Sequence, residues 1–234
     1  MPGYQTACRD CSLKIDLHVH TIPLSPDSLM SAEEAIQTAR EIGLDGICFT
    51  EHDRAWQPSE IRVLREKYEF PVFTGVEVML QGGIEMLAFG LNVDFTSLLH
   101  LRELRRMVTA ADGFMIYAHP FRGLPESTIS DPDAAMRTAL GKVDIAAIDA
   151  VEAHNGRHRE TYNQPALQMA ARHNLRTTGG SDAHSPDEIG TCVTVFETTV
   201  TTDGELLQEL KAGRFSSAPF RFRERWSWQQ APKS

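Results

Sequence analysis

The sequence has little cysteine, and that scarcity excludes whole classes of protein. Its four cysteines, Cys8, Cys11, Cys48 and Cys192, are too few and too scattered for the disulfide framework of a small secreted domain. Cys8 and Cys11 form a CxxC pair, but no second pair or nearby histidine completes a zinc site. We therefore interpret the pair as incidental.

Long hydrophobic runs are also missing. No stretch of the sequence approaches the roughly 18 consecutive apolar residues of a membrane span. The first residues, MPGYQTACRDC, lack the charged-then-apolar layout of a signal peptide. We therefore expect a cytoplasmic protein with no membrane contact.

Positive charge is scarce relative to negative charge. The 23 lysines and arginines against 32 aspartates and glutamates give a formal net charge of −9. This balance argues against a general nucleic-acid-binding surface. Two or three bound divalent ions would reduce the charge to about −5 or −3, so part of the acidity is consistent with a metal site.

Nothing in the sequence divides it into several domains, because it has no internal repeat, low-complexity tract or long linker. A chain of 234 residues, of which 41% are hydrophobic, can bury one sizeable core and falls in the range of single-domain α/β barrels. We predict one domain over residues 1–234, with the core motifs in 13–200 and a final helix, strand and tail in 201–234. The basic and aromatic tail from Phe220 favours packing or a contact between copies of the chain over binding of single-stranded nucleic acid.

Short apolar segments alternate with segments of helical periodicity along the chain, which predicts a largely parallel sheet wrapped by helices. The helix signal is clear in SAEEAIQTAREIG, where Ser31 is a cap, Glu34 follows three residues later and Gly43 ends the helix. Strands are predicted near residues 14–19, 46–50, 72–78, 85–90, 114–118, 147–152, 175–179, 192–196 and 216–220. Further helices are predicted near 59–69, 97–111, 132–141, 159–173 and 203–212.

The first predicted strand ends in the segment DLHVHT, with two histidines one residue apart. In a strand, His18 and His20 share one face while Leu17 and Val19 share the other. Two imidazoles that face one point suggest a shared ligand. Paired histidines also occur as ordinary polar residues on half-exposed strands, so this motif alone does not distinguish a ligand site from a polar strand face.

Metal-binding residue types recur where other predicted strands end. In α/β barrels the loops after the strands form one face, and active sites lie there. Asp182 and His184 are two residues apart and can point to the same side, and histidine mixed with carboxylate suits zinc, manganese or iron. Glu77 is the best candidate for a carboxylate that bridges two ions. The remaining residues are Asp27, Glu51, His52 and Asp53, followed by the segments YAHPFR, VEAHNGR and GGSDAH.

In this order and at these distances, the segments DLHVHT, TEHD, GVE, AHP and GGSDAH resemble the polymerase and histidinol phosphatase family, the PHP family. The resemblance covers roughly residues 14–200. It implies a distorted (β/α)7 barrel with up to three divalent ions that hydrolyses phosphoesters.

The resemblance also implies three sets of metal ligands. Family members commonly supply the third ion with a further histidine from the hairpin after the bridging glutamate, but this sequence has GGIEMLAFG there. Glu85 is the nearest substitute; alternatively it faces solvent, opposite Ile84 and Met86. The implied sets are His18, His20, Glu77 and Asp182 for one ion, Asp27, His52 and His184 for a second, and Glu77 and His119, with Glu85 as the candidate addition, for a third.

Other polar residues near these ligands have two interpretations each. Arg122 and Arg157 suit bidentate binding of phosphate oxygens, although solvated loop arginines are as common. His154 either contacts the substrate, where it can protonate the leaving group, or is packed. Asp16 can orient a ligand imidazole. We interpret Glu51 and Asp53 as capping or outer residues.

The sequence therefore predicts hydrolysis of a phosphomonoester or nucleotide by water that two or three zinc, manganese or iron ions activate. Its expected partner is a small phosphoester substrate, and a homo-oligomer is compatible with the tail. The alternatives are an amidohydrolase-like metal hydrolase, a metal-binding module without turnover, and an exonuclease, which the acidic balance disfavours. Amidohydrolases often use a carbamylated lysine as the bridge, and no lysine stands where Glu77 does.

Overall fold

The computed structural model describes residues 12–157 and 160–220. The CxxC pair and the tail beyond Phe220 lie outside the described residues. The strands are β1 (Leu13–Val19), β2 (Gly46–His52), β3 (Val72–Leu80), β4 (Ile84–Phe89), β5 (Phe114–Tyr117), β6 (Ala150–Asn155), β7 (Arg176–Gly180), β8 (Cys192–Phe196) and β9 (Phe215–Pro219). The helices are α1 (Ala32–Glu41), α2 (Pro58–Tyr68), α3 (Leu101–Ala110), α4 (Glu126–Ile129), α5 (Pro132–Leu140), α6 (Glu160–His173) and α7 (Asp203–Ala212).

The strands form one sheet in the order β7-β6-β5-β4-β3-β2-β1-β8-β9. Most neighbours among β1–β7 are parallel, but β4 runs antiparallel to β3 and β5, and β8 and β9 extend the sheet as antiparallel strands. The segment after β7 returns to β1, where Asp182 N donates to His18 O at 2.7 Å and His20 N donates to Ala183 O at 3.0 Å. These bonds nearly close the sheet, which confirms the predicted α/β barrel.

Each predicted strand is present, although β6 begins three residues later than predicted, and the other main differences lie at helix boundaries. The α1 capping box is confirmed, because Ser31 Oγ accepts from Glu34 N at 3.2 Å and Glu34 Oε2 accepts from Ser31 N at 2.8 Å. Helix α3 begins four residues later than predicted because Leu99 is held in an extended conformation, its carbonyl accepting from Gln81 N at 3.0 Å. Helix α4 was not predicted. No helix in the described part of the chain is long and apolar enough to cross a membrane.

The apolar core has three parts, one inside the barrel and two between the sheet and the helices. Leu206 and Leu210 of α7 belong to the interior cluster and close one end of the barrel. Candidate ligands therefore have only the opposite end available. The interior cluster includes Ile15, Leu17, Cys48, Phe73, Leu87, Phe89, Ile116 and Phe196.

A β-bulge interrupts β1 between Asp16 and Val19, the stretch that contains His18. Asp16 lies opposite Ile47 of β2 and Val19 opposite Phe49, so β1 has one residue more than its partner over this stretch. Leu17 consequently packs inside the barrel while Val19 packs in an outer layer. The prediction that these two share a face was therefore wrong.

A second bulge lies in β6. Glu152 lies opposite Thr178 and His154 opposite Gly179, which leaves Ala153 as the extra residue. The bulge reverses the alternation of side chains beyond it. Asn155, and not His154, therefore shares the inward face of Glu152.

Candidate metal centre

The first group of donor atoms converges at the open end of the barrel. His18 Nε2 lies 3.4 Å from Glu77 Oε1 and 3.7 Å from Asp182 Oδ1. His20 Nε2 lies 3.4 Å from Glu77 Oε2 and 3.4 Å from Asp182 Oδ1. Bonds of about 2.1 Å around a tetrahedral ion would separate its ligands by about 3.4 Å. The four residues therefore fit one divalent ion.

Hydrogen bonding within the protein leaves several of these donors unsatisfied. Within the described ranges, His18 Nε2, His20 Nε2 and Asp182 Oδ1 are buried without a hydrogen-bond partner, and Glu77 Oε2 makes no hydrogen bond of good geometry although His52 Nδ1 lies 2.9 Å away. Buried polar atoms without partners are rare because they lose hydration and gain nothing in return. Four such atoms at one point, two of them anionic, fit a bound cation.

A second group lies toward solvent. Asp27 Oδ2 is 3.2 Å from both His52 Nε2 and His184 Nε2, and the two imidazole nitrogens are 3.4 Å apart. These separations also match the edges expected around one ion. The Asp27 side chain is 57% exposed, so this group opens to the solution.

Outer contacts orient the ligand histidines. Glu152 Oε1 lies 2.8 Å from His18 Nδ1, and Glu152 Oε2 accepts from His119 N at 3.1 Å. The carbonyl of Asp182 lies 3.0 Å from His184 Nδ1. Such contacts fix which ring nitrogen carries the proton and leave the other free for an ion.

Asn155 is a site residue that the sequence reasoning missed. Its Nδ2 donates to Glu152 Oε2 at 3.0 Å and to Asp182 Oδ2 at 3.3 Å. The segment VEAHNGR drew attention to His154 because strict alternation from Glu152 selects that residue. The bulge at Ala153 was the missing information.

Three acidic neighbours hold the backbone and other side chains in place. Asp16 accepts from Ser181 N and Gly190 N, both at 2.9 Å, so it fixes the closing segment and does not orient a ligand imidazole as expected. Glu51 accepts from Trp56 Nε1 at 2.8 Å and also from Thr21 and Ser25. Asp53 accepts from Met79 N at 3.0 Å, consistent with the outer role expected for it and Glu51.

The donor atoms of the third implied group, from Glu77, His119 and Glu85, are arranged less regularly than those of the first two groups. His119 Nε2 lies 3.0 Å from Glu77 Oε1. Glu85 lies on the inner face of β4, half-buried, with its Oε2 3.7 Å from His119 Nδ1. It therefore does not face solvent, although its nearest approach to His119 is to the nitrogen that points away from Glu77.

Two arginines reach the centre from the loops after β5 and β6. Arg122 Nη1 lies 3.2 Å from His119 Nε2 and 3.5 Å from Asp182 Oδ2. Arg157 Nη1 lies 2.9 Å from His184 Nδ1 and 3.9 Å from Asp182 Oδ1. The two guanidinium groups therefore flank Asp182, each 34% exposed.

The structure places His154 against β9. Its Nδ1 lies 2.7 Å from Ser217 Oγ, which in turn donates to Thr177 Oγ1 at 2.9 Å. Burial lowers the pKa of His154, so the neutral ring is favoured. This hydrogen-bonded chain belongs to the packing of β9 on β6 and β7.

Burial and nearby carboxylates shift the pKa values of the histidines of this centre in different directions. Burial lowers the pKa of His18, but the carboxylates of Glu152, Asp182 and Glu77 more than offset it and raise that pKa well above the usual value. Burial dominates at His20 and lowers its pKa to about 4. Despite burial, the neighbouring histidines hold the pKa of Glu77 well below its usual range. In the protein without ions, protonated histidines thus balance part of the carboxylate charge of the centre.

Close backbone approach positions His18. A Cβ at Gly180 would lie 2.4 Å from His18 Cβ and 2.8 Å from His18 N. His119 and Asp182 adopt positive φ angles of 26° and 55°, which non-glycine residues rarely do. Such conformations persist where the surrounding structure enforces them, and here both belong to candidate ligands.

Comparisons with known proteins find a related sequence and similar folds. The uncharacterized protein MJ1587 of Methanocaldococcus jannaschii is 25% identical over 158 residues, which cover 63% of this chain and 85% of that protein. PsfC from Pseudomonas syringae PB-5123 has a similar structure, with a TM-score of 0.62 and 20% identity over 92% of this chain and 94% of that one. A two-domain protein from Bacteroides vulgatus ATCC 8482 that contains a predicted PHP-like metal-dependent phosphoesterase gives a TM-score of 0.64 and 22% identity over 89% of this chain and 65% of that one.

Family models cover most of the chain. A model described as the PHP domain matches residues 16–173, and one described as PHP-associated matches residues 160–215. The first match contains the β1 histidines, Glu77 and His119, and the second contains Asp182 and His184. The chain belongs to the PHP family.

Proposed function

We propose that this protein hydrolyses phosphoester bonds in a small phosphorylated substrate, a phosphomonoester or a nucleotide, with the help of divalent ions. The observation that carries the proposal is the convergence of unpartnered, buried ligand atoms at the end of the barrel where two arginines also meet. Family membership supports the same reaction class.

The chain supplies two complete sets of ion ligands. His18, His20, Glu77 and Asp182 would hold one ion, and the triad of Asp27 with His52 and His184 a second. Glu77 connects the two sets through His52, since its Oε2 is 3.4 Å from His20 Nε2 and 2.9 Å from His52 Nδ1, the ring nitrogen opposite the one that faces Asp27. When bound, two such ions lower the pKa of water and stabilise the charge of an in-line displacement. The mixture of imidazole and carboxylate suits zinc, manganese or iron.

Arg122 and Arg157 are suited to hold the phosphoryl group of the substrate. Their guanidinium groups approach Asp182 from two sides and keep part of their surface exposed to the solution. Arginine binds phosphate oxygens through two parallel hydrogen bonds, which fixes the orientation of the group as well as its position. The arginines thus distinguish a phosphoester from a neutral amide substrate.

One experiment separates this function from its alternatives. The purified protein, loaded in turn with manganese, zinc and iron, is assayed for phosphate release from nucleotides, sugar phosphates and amino-alcohol phosphates. A parallel panel of amides and lactones is assayed for ring or amide hydrolysis. We expect phosphate release that a chelator abolishes and added ion restores. Turnover confined to amides would identify an amidohydrolase, and bound ions without any turnover would identify a binding module.

A further inference from the structure

The third implied ion position differs from the first in what its donor atoms already contact. Glu77 Oε1 lies 3.0 Å from His119 Nε2, and Asp182 Oδ2 accepts from Asn155 Nδ2 at 3.3 Å. The other oxygens of these carboxylates, Glu77 Oε2 and Asp182 Oδ1, make no hydrogen bond of good geometry and lie 3.4 Å from His20 Nε2, and Glu77 Oε2 also lies 2.9 Å from His52 Nδ1. Within the described residues, the unsatisfied donors of Glu77 and Asp182 thus belong to the first position.

Arg122 lies beside the third position, next to His119 and Glu85. Its Nη1 is 3.2 Å from His119 Nε2, 3.5 Å from Asp182 Oδ2 and 3.6 Å from Glu85 Oε2. A guanidinium group is charged at every accessible pH. One cationic nitrogen therefore lies against two of the three candidate ligands of the third ion, His119 and Glu85, and its charge repels a divalent ion bound there.

Glu85 supplies the counterion for this arginine. The resemblance to the family leads one to expect a neutral histidine at this hairpin, whereas Glu85 brings a negative charge 3.6 Å from Arg122 Nη1. Glu85 approaches His119 at Nδ1, 3.7 Å away, and not at the Nε2 that faces Glu77. A carboxylate in this place matches a guanidinium partner better than it completes an ion site.

We propose that the guanidinium of Arg122, paired with Asp182 and Glu85, replaces the third divalent ion, so that the chain binds two ions and carries its own third positive charge. This inference rests on the proposed function, because it presupposes that ions fill the first two positions. A phosphoryl group bound to the two ions would then contact the fixed guanidinium of Arg122 at the place where a third, exchangeable ion would otherwise bind. Glu85 would act through Arg122 and would not ligate an ion.

Arg157 provides a matched control. It is also a loop arginine against a candidate ligand, and it is equally exposed. Its Nη1 lies 2.9 Å from His184 Nδ1 and 3.2 Å from His184 Nε2, but the second position has three donor atoms within 3.4 Å of one another without Arg157. Removal of Arg157 therefore creates no new set of ligands.

The test is the number of ions per chain. Wild type, Arg122→Ala, Arg122→Gln and Arg157→Ala are loaded with manganese, exchanged into volatile buffer, and measured by native mass spectrometry and elemental analysis. We expect two ions in wild type and Arg157→Ala, and three in both Arg122 variants, with the third lost first on dilution. Circular dichroism confirms that each variant is folded, and Arg122→Gln retains most of the side-chain volume if Arg122→Ala is not folded.

Two results would overturn the inference while leaving the proposed function in place. One is three ions in the wild type, and the other is two ions in a folded Arg122→Gln protein. A wild-type protein that binds no ion would overturn both proposals together.

Discussion

The same strands form both ends of the barrel interior, but one end is apolar and stabilises the fold, whereas the other is polar and collects the candidate ligands. On β3, Phe73 packs in the apolar half, whereas Glu77, four residues later, faces the histidines. Burial of Phe73 stabilises the fold, while burial of unpartnered donors costs stability unless a ligand satisfies them. The apolar half therefore stabilises the fold, and the polar half is arranged for cation binding.

The largest expected effect comes from the polar end of β3. Glu77→Gln keeps the shape of the side chain but removes the charge shared between two ion positions. We expect phosphate release to fall by at least about 10³-fold, equivalent to about 4 kcal/mol. The rise in melting temperature on addition of manganese should also disappear. Calorimetry with and without the ion checks this, and an intact rise in melting temperature would remove Glu77 from the ion site.

The apolar end of the same strand should give the reverse pattern. Phe73→Ala deletes a fully buried ring and is expected to lower the free energy of unfolding by about 3–5 kcal/mol. Urea denaturation measures the loss. Ion content per folded chain should stay at the wild-type value, and its loss would show that the two ends are coupled.

Because β7 approaches His18 closely, one substitution there should affect both the stability of the fold and ion binding. Gly180→Ala places a methyl group against the backbone and Cβ of His18, and we expect a loss of about 1–3 kcal/mol from overpacking together with weaker ion binding. Gly204→Ala in α7 is the matched control, because a Cβ there meets nothing within 4 Å. That substitution should be neutral or stabilise by about 0.5–1 kcal/mol. Equal effects of the two substitutions would contradict the account.

The stability of the ion-free protein should depend on pH through His52, which lies at the polar end. Burial lowers the pKa of His52, but Glu77 and Asp27 raise it from 6.5 to about 8. A raised histidine pKa contributes stability below pH 6.5 that is lost as the pH rises through about 8. The shift corresponds to about 2 kcal/mol, and exposure of 31% of the side chain reduces our expectation to about 1 kcal/mol. Denaturation of chelator-treated wild type and His52→Gln at pH 6 and 8.5 measures it, and an identical pH dependence in both would contradict this origin.

The smallest effect is expected at His154, whose ring contacts Ser217 of β9. His154→Gln should change kcat/KM by less than about threefold, or less than about 0.7 kcal/mol. Steady-state kinetics checks this. A large fall in kcat with a changed pH profile would restore His154 as a proton donor.

Sequence patterns predicted the strands and most of the polar side chains that meet at the open end of the barrel, because both depend on local periodicity. His18 and His20 lie one residue apart at the end of an apolar strand, and Asp182 and His184 repeat that spacing after glycines. Residues that end parallel strands meet at one face of a barrel whatever their distance along the chain. The family resemblance added the grouping of these ligands around particular ions.

What the sequence did not predict depends on register and packing between distant strands. The bulges at β1 and β6 decide that Leu17 points inward and that Asn155 replaces His154 beside Glu152. No local pattern marks them, because strict alternation is the default expectation for a strand. The contact of Arg122 with Glu85 likewise requires the loop after β5 to fold over β4.

The most direct test of the central claim measures ion content and phosphate release on the same samples. Chelator-treated protein is titrated with manganese, and each sample is divided between elemental analysis and an assay with the best substrate of the phosphoester panel. The account predicts that phosphate release follows the filling of the first two equivalents and is absent from Glu77→Gln at every point. Phosphate release that persists in the ion-free protein, or two bound ions without any release across the whole panel, would contradict it.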